Sequence, residues 1–241
     1  MMNHPCVIEW HGGGFLLGLL IPSLRRSPAR IEERTVYGLP VLALTAPVPR
    51  TPYQHRRLGR ALDRLHRAGA GEVLTGDFSI AVETLTAHGL RPVDPAPLRQ
   101  VALPQLLDWM AAARAIPLQG ACVALSAPQT SKAVYTAAEV ICASVRYIAL
   151  QTGRGQGALE DHLRRRWGVA PGGTPQLEVT FCAHPRTDAP ALLAGEGCAA
   201  QTIRWRTALG QSLPEEVAAA LWSAKKCQIG EIHPEWVAMR T

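Results

Sequence analysis

Between Ala121 and Ala183 the chain switches repeatedly between two apolar patterns. "ACVALSAP" (121–128), "RYIALQT" (146–152) and "QLEVTFCA" (176–183) are short runs bounded by turn-forming residues. Between them, "SKAVYTAAEVICASV" (131–145) and "GQGALEDHLRRRWG" (155–168) carry apolar residues at helical spacing, with Leu159, Leu163 and Trp167 expected inward. Such a succession reads β-α-β-α-β. Strands joined through helices run parallel, and their crossovers are right-handed. This feature restricts the fold to the α/β class, with a Rossmann-like parallel sheet.

The first half repeats the design. "LPVLALTAP" (39–47) predicts a buried strand, residues 51–69 predict a helix with a basic outer face, and "EVLTGDF" (72–78) predicts the next strand. "LALTAP" (42–47) echoes "VALSAP" (123–128), so the sheet is expected to comprise two related β-α-β halves. Ahead of them, "CVIEW", "HGGG" and "FLLGLLIP" suggest a small N-terminal β-hairpin, followed by the charged connection "RRSPARIEER". "LPQLLDWMAAARAI" (103–116) and "SLPEEVAAALWSAKK" (212–226) predict helices, the latter with a Ser212–Glu215 capping box, and "CQIGEI" a last strand. The organisation expected is 1–36 hairpin and connection, 37–116 first unit, 117–190 second unit, and 191–241 a C-terminal tail. Residues 187–211 show no readable pattern.

Composition excludes some classes. Apolar residues make up 47% and charged ones 18%, which supports a buried core and argues against disorder. No apolar run approaches the ~20 residues a membrane helix needs, and no basic start precedes the early apolar run as in a signal peptide. The six cysteines form no Cys-x-x-Cys pair and no metal-ligand spacing, so no metal is expected. Cys122, Cys142 and Cys182 read as small core residues. A reducing, cytoplasmic setting is the expectation. The net charge of +6 admits an anionic partner, but arginines on solvated helix faces account for it as well. Arg56, Arg57, Arg60, Arg64 and Arg67 fall on one helix face, and Arg164 to Arg166 on another. These faces admit nucleic acid, but no aromatic interleaving favours it over simple solvation.

Ligands of open α/β sheets bind where the carboxyl ends of the strands meet helix N-termini. The candidates on that edge are Thr45, Thr75, Asp77, Ser126, Gln129, Thr130, Ser131, Thr152, Gly153 and Gly155. Gly153, Gly155 and Ala158 also satisfy Gly-x-Gly-x-x-Gly/Ala between a strand and a helix, the context for a dinucleotide. NAD or NADP is the cofactor this would imply, although no acidic residue ends the following strand. "HGGGF" after an apolar run resembles the oxyanion-hole loop of the hormone-sensitive-lipase group of α/β-hydrolase esterases, which implies an acyl-transfer site. The chain departs from that family where the nucleophile belongs: Gly76-Asp77 leads to Phe78 and then Ser79, and no Gly-x-Ser-x-Gly occurs.

No catalytic constellation is legible. The expected function is binding of a small anionic or nucleotide-like ligand, or of a protein partner, at the carboxyl-end loops. The alternatives are an NAD(P)-dependent oxidoreductase using the GRGQGA loop, and an interaction protein without a ligand site.

Overall fold

The computed structural model describes residues 16–23, 29–76, 78, 80–195 and 203–236. The chain divides into two compact units, Met1–Val93 and Asp94–Thr241. Each carries its own sheet, mixed in the first unit and wholly parallel across five strands in the second.

The first unit contains β1 (Leu16–Ser23), β2 (Arg30–Val36), β3 (Leu39–Pro47), α1 (Pro52–Arg67), β4 (Ala70–Leu74), α2 (Val82–Ala87) and β5 (Arg91–Pro92). The strands lie in the order β2-β3-β1-β4-β5. β1 pairs in parallel with β3 and β4, and β4 with β5, while β2 is antiparallel to β3. Thr51 caps α1 through a capping box with Gln54, and Pro52 supplies a preset φ at the helix start. The inward stripe Leu58, Ala61, Leu62 and Leu65 packs against Leu20, Leu42, Leu44, Ala46 and Val73. The arginines of α1 face outward and are exposed.

A small hairpin near the N-terminus is formed by β2 and β3. Tyr37 and Gly38 make its two-residue turn, with φ of 52° and 80°. Positive φ at both positions is what the tight hairpin turn matching strand twist requires. The stretch 25–34 is therefore not wholly a connection, since Arg30 to Arg34 belong to a strand. The charges of β2 lie at the sheet edge, where they are exposed and discourage further pairing. Of the expected CVIEW-HGGG-FLLGLLIP hairpin, the first arm and turn lie outside the described residues; the second arm is β1.

The second unit opens with α3 (Ala96–Val101) and α4 (Leu103–Ala112). It continues with β6 (Cys122–Gln129), α5 (Lys132–Ser144), β7 (Tyr147–Arg154), α6 (Gln156–Trp167), β8 (Ala170–Pro171), β9 (Leu177–Thr180) and β10 (Ala191–Leu193). These five strands are parallel, in the order β10-β9-β6-β7-β8. Counting β6 as the first, the order is 3-2-1-4-5 from one edge, that of a Rossmann-type doubly wound sheet. Val123 sits between Ile148 and Leu177, and all three are buried. The two β-α-β halves thus build two sheets, not one: Leu42 lies in the first, Val123 and Tyr147 in the second.

The tail adds β11 (Ile203–Thr207), β12 (Ser212–Pro214), α7 (Glu215–Ser223) and β13 (Ile232–Trp236), with the strands in a small antiparallel sheet. Ser212 is not a helix cap: it lies in β12, and its hydroxyl accepts from Arg204 Nε at 2.8 Å. Trp167 is 39% exposed, whereas Leu159 and Leu163 are buried as expected. Arg99 on α3 is fully buried and holds Glu215 at the start of α7 by two hydrogen bonds, of 2.7 and 2.5 Å. Its remaining arm donates to the Leu193 carbonyl at 2.7 Å. All its charge is thereby matched inside the unit, which is the condition for burying an arginine.

Candidate functional site

The carboxyl edge of the second sheet uses most of its polar residues on itself. Ser126 is buried, and its hydroxyl is shared between Gln151 Oε1, at 3.5 Å, and the Glu178 carboxylate. Thr130 donates to the Arg154 carbonyl through its backbone N–H at 3.0 Å and its hydroxyl at 3.2 Å. Ser131 caps α5, accepting from the Val134 N–H at 3.3 Å. Thr152 is buried and its hydroxyl has no partner among the described residues. Gln129 is exposed at the end of β6.

Gly153 and Gly155 allow close contact with the chain's own backbone and side chains. A Cβ on Gly153 would lie 2.2 Å from the Pro128 carbonyl oxygen, and one on Gly155 would lie 2.1 Å from Thr130 Oγ1. The loop leaving β6 therefore fills the space that these glycines open. Gly153 lies near the end of β7 and Gly155 just after it, on the second strand in the order, while a dinucleotide fingerprint follows the first.

Glu178, which periodicity did not single out, anchors the crossover from β9 to β10. Its carboxylate accepts from the N–H groups of Arg186 and Thr187, each at 2.9 Å, and from the Thr187 hydroxyl at 2.6 Å. Burial pushes this carboxyl up, but the hydrogen bonds from Thr187, Arg186 and Ser126 outweigh it and hold it below its ordinary value. Arg186 closes the loop by donating to the Gln151 carbonyl at 2.8 Å.

The first unit offers an open space on its carboxyl edge. A cavity of about 220 Å³ lies where β3 ends and α1 begins. Ala29, Ala46 and Pro47 form its strand-end wall, and Tyr53, Arg57 and Leu58 line it from the helix, with Thr51 and Gln54 at the helix start. Ala46 and Leu58 also belong to the core, so the cavity floor is continuous with it. Thr45, one residue earlier, points to the opposite face of the sheet, because strand side chains alternate. Thr75 follows β4 and its carbonyl accepts from the Phe78 N–H at 2.9 Å. Asp77 lies outside the described residues, as does Ser79.

Three features give the cavity its chemistry. Arg57 has no carboxylate partner among the described residues and lies over the Tyr53 ring, 5.9 Å from its centroid. The first turn of α1 holds no acidic residue. Gln54 Oε1 accepts from the N–H groups of Arg50 and Thr51 at 2.7 and 3.2 Å, which leaves its amide NH₂ free to donate. A larger but more open depression, about 420 Å³, is lined by Asp108, Pro117, Leu118, Gln119 and Ser144 in the second unit. It carries no cation, and it lies toward the amino ends of β6 and β7.

The structure also pairs residues far apart in sequence. His88 Nδ1 lies 2.7 Å from Asp63 Oδ1, with the ring close against Gly59, where a Cβ would meet it at 2.9 Å. His162 Nε2 lies 3.0 Å from Glu139 Oε1. Both pairs tie neighbouring elements together, and no sequence pattern marks them. Among the described residues no cluster of His, Cys, Asp and Glu could hold a metal ion. No helix among them is long and apolar enough to cross a membrane.

The sheets define an α/β protein of Rossmann-like build. No protein-family model matches the chain, and no curated protein matches it. Among solved structures it is similar to L-tryptophan dehydrogenase from Nostoc punctiforme, with 15% identity and a TM-score of 0.30, over 70% of this chain and 56% of that one. It is also similar to the apo form of D-lactate dehydrogenase from Escherichia coli, with 14% identity and a TM-score of 0.28, over 53% and 48%. The chain spans about half the length of these two structures. Similarity at this level says nothing of activity.

Proposed function

We propose that this protein binds a small anionic ligand, and that the site is the cavity between the end of β3 and the start of α1. The observation that carries the reading is the lining itself: an apolar floor, an arginine without a carboxylate partner among the described residues, and no acid in the adjoining helix turn. Apolar walls with a few placed polar groups are the usual make-up of a small-molecule site. The position agrees with the general preference of α/β sheets for ligands at strand carboxyl ends. No group with the geometry of a nucleophile and its base meets there, so the role proposed is binding without catalysis, in the cytoplasm.

The NAD(P) reading of the 153–158 loop has less support. Its glycines are occupied by Pro128 and Thr130. The cavity in the first unit, at about 220 Å³, is also below the ~300 Å³ at which sites for drug-sized ligands begin. Thermal unfolding of the full chain against inorganic phosphate, small carboxylates, mononucleotides, NAD and NADP tests both readings. A small anion should raise Tm in the parent and fail to do so in Arg57→Gln, while Arg60→Gln on the same exposed face should respond like the parent. Stabilisation by NAD or NADP that survives Arg57→Gln would overturn the proposal.

A further inference from the structure

The ligand can be narrowed by the shape and charge of the cavity. We infer that it is a compact aromatic acid, one ring bearing one carboxylate; this rests on the cavity being the ligand site. Size limits the occupant first. About 220 Å³ accommodates a single ring with a short polar group and excludes a base, sugar and phosphate together. Charge limits it next. Among the described residues one guanidinium lines the cavity, and no second cation does. A single carboxylate matches it, and the planar fork of arginine suits the two oxygens of that group. Gln54, one helical turn before Arg57, also lines the cavity, and its amide NH₂ is a further donor because its oxygen is committed to the Arg50 and Thr51 N–H groups.

The walls favour a ring over a flexible chain. Tyr53 lines the cavity, and the Arg57 guanidinium lies over its ring, 5.9 Å from the centroid. Ala46 and Pro47 oppose it from the strand end with small, rigid side chains. Tyr53 is 68% exposed, so its ring is open to a ligand. An aromatic acid would place its ring against Tyr53 and Pro47 and its carboxylate on Arg57 and Gln54.

The test is titration of the ¹⁵N-labelled full chain with benzoate, cyclohexanecarboxylate, benzamide and inorganic phosphate, read at the amides of residues 51–58. Benzoate should shift these amides with saturation. Benzamide, which lacks the charge, and cyclohexanecarboxylate, which lacks the flat ring, should each bind at least fivefold more weakly. Arg57→Gln should weaken benzoate about tenfold, and Tyr53→Leu about fivefold; both positions are exposed, so the fold is retained. Cyclohexanecarboxylate or phosphate binding as tightly as benzoate would overturn the aromatic-acid class while leaving an anion site in place. Failure of every anion to move those amides at tens of millimolar would overturn the site itself.

Discussion

Gly153 and Gly155 show how a single atom separates packing from recognition. Each would push a Cβ to within about 2.2 Å of the β6 exit loop. Gly155 also has φ of 96°, in the region that side chains avoid. Gly157, two residues on, has nothing within 4 Å of its Cβ position. Gly153→Ala is therefore expected to cost about 2–3 kcal/mol by overpacking against a backbone carbonyl that cannot rotate away. Gly157→Ala should gain up to about 1 kcal/mol, because alanine is the better helix residue. Urea unfolding of the two variants settles the contrast, and equal effects would contradict the packing account. The Gly-x-Gly-x-x-Ala spacing was legible in the sequence. That Thr130 and Pro128 fill it was not, because nothing local couples residue 130 to residue 155.

At the scale of elements, two local designs govern what moves. The β2–β3 turn places Tyr37 at φ 52°, a conformation that costs an ordinary side chain about 1–2 kcal/mol. Tyr37→Asn should recover about 0.5–1 kcal/mol, since Asn-Gly is the preferred pair for this turn; a lower urea midpoint in the variant would argue against that turn geometry. The crossover between β9 and β10 depends on Glu178 being ionised. Its folded-state value lies below the ordinary 4.5, so its contribution is complete above about pH 4.5 and is lost as pH falls through the lower folded value. Glu178→Gln should remove that part of the acid dependence and lower stability at pH 7, where the amide would turn one NH₂ toward N–H donors. Unchanged acid unfolding in this variant would rule out the anchoring role. Helix α1 was readable from its stripe and its Thr-Pro start. Strand β2 was not, because an edge strand with both faces exposed shows no alternation of burial.

For the whole molecule, the division at Val93–Asp94 leaves the second unit with a complete five-stranded sheet and a buried Arg99–Glu215 pair of its own. Residues 94–241 are accordingly expected to fold as an isolated fragment with a cooperative thermal transition. Within it, Arg99→Ala should cost about 3–5 kcal/mol, because it strands the Glu215 charge in the interior. A fragment that melts without cooperativity would show that the unit is not self-sufficient.

Sequence alone determined the parallel β-α-β character of both halves and the helices that cover the sheets. These follow from periodicities within a dozen residues, where the chain's own geometry decides. Only the tertiary structure decided that the halves form separate sheets and that the hydroxyls of Ser126 and Thr130 are spent inside the fold. It also decided that the open space lies beside Ala46 and not on the face of Thr45. Those outcomes depend on which distant strands pair and on a register in which one residue exchanges the two faces of a strand, and such pairings leave no mark on neighbouring residues.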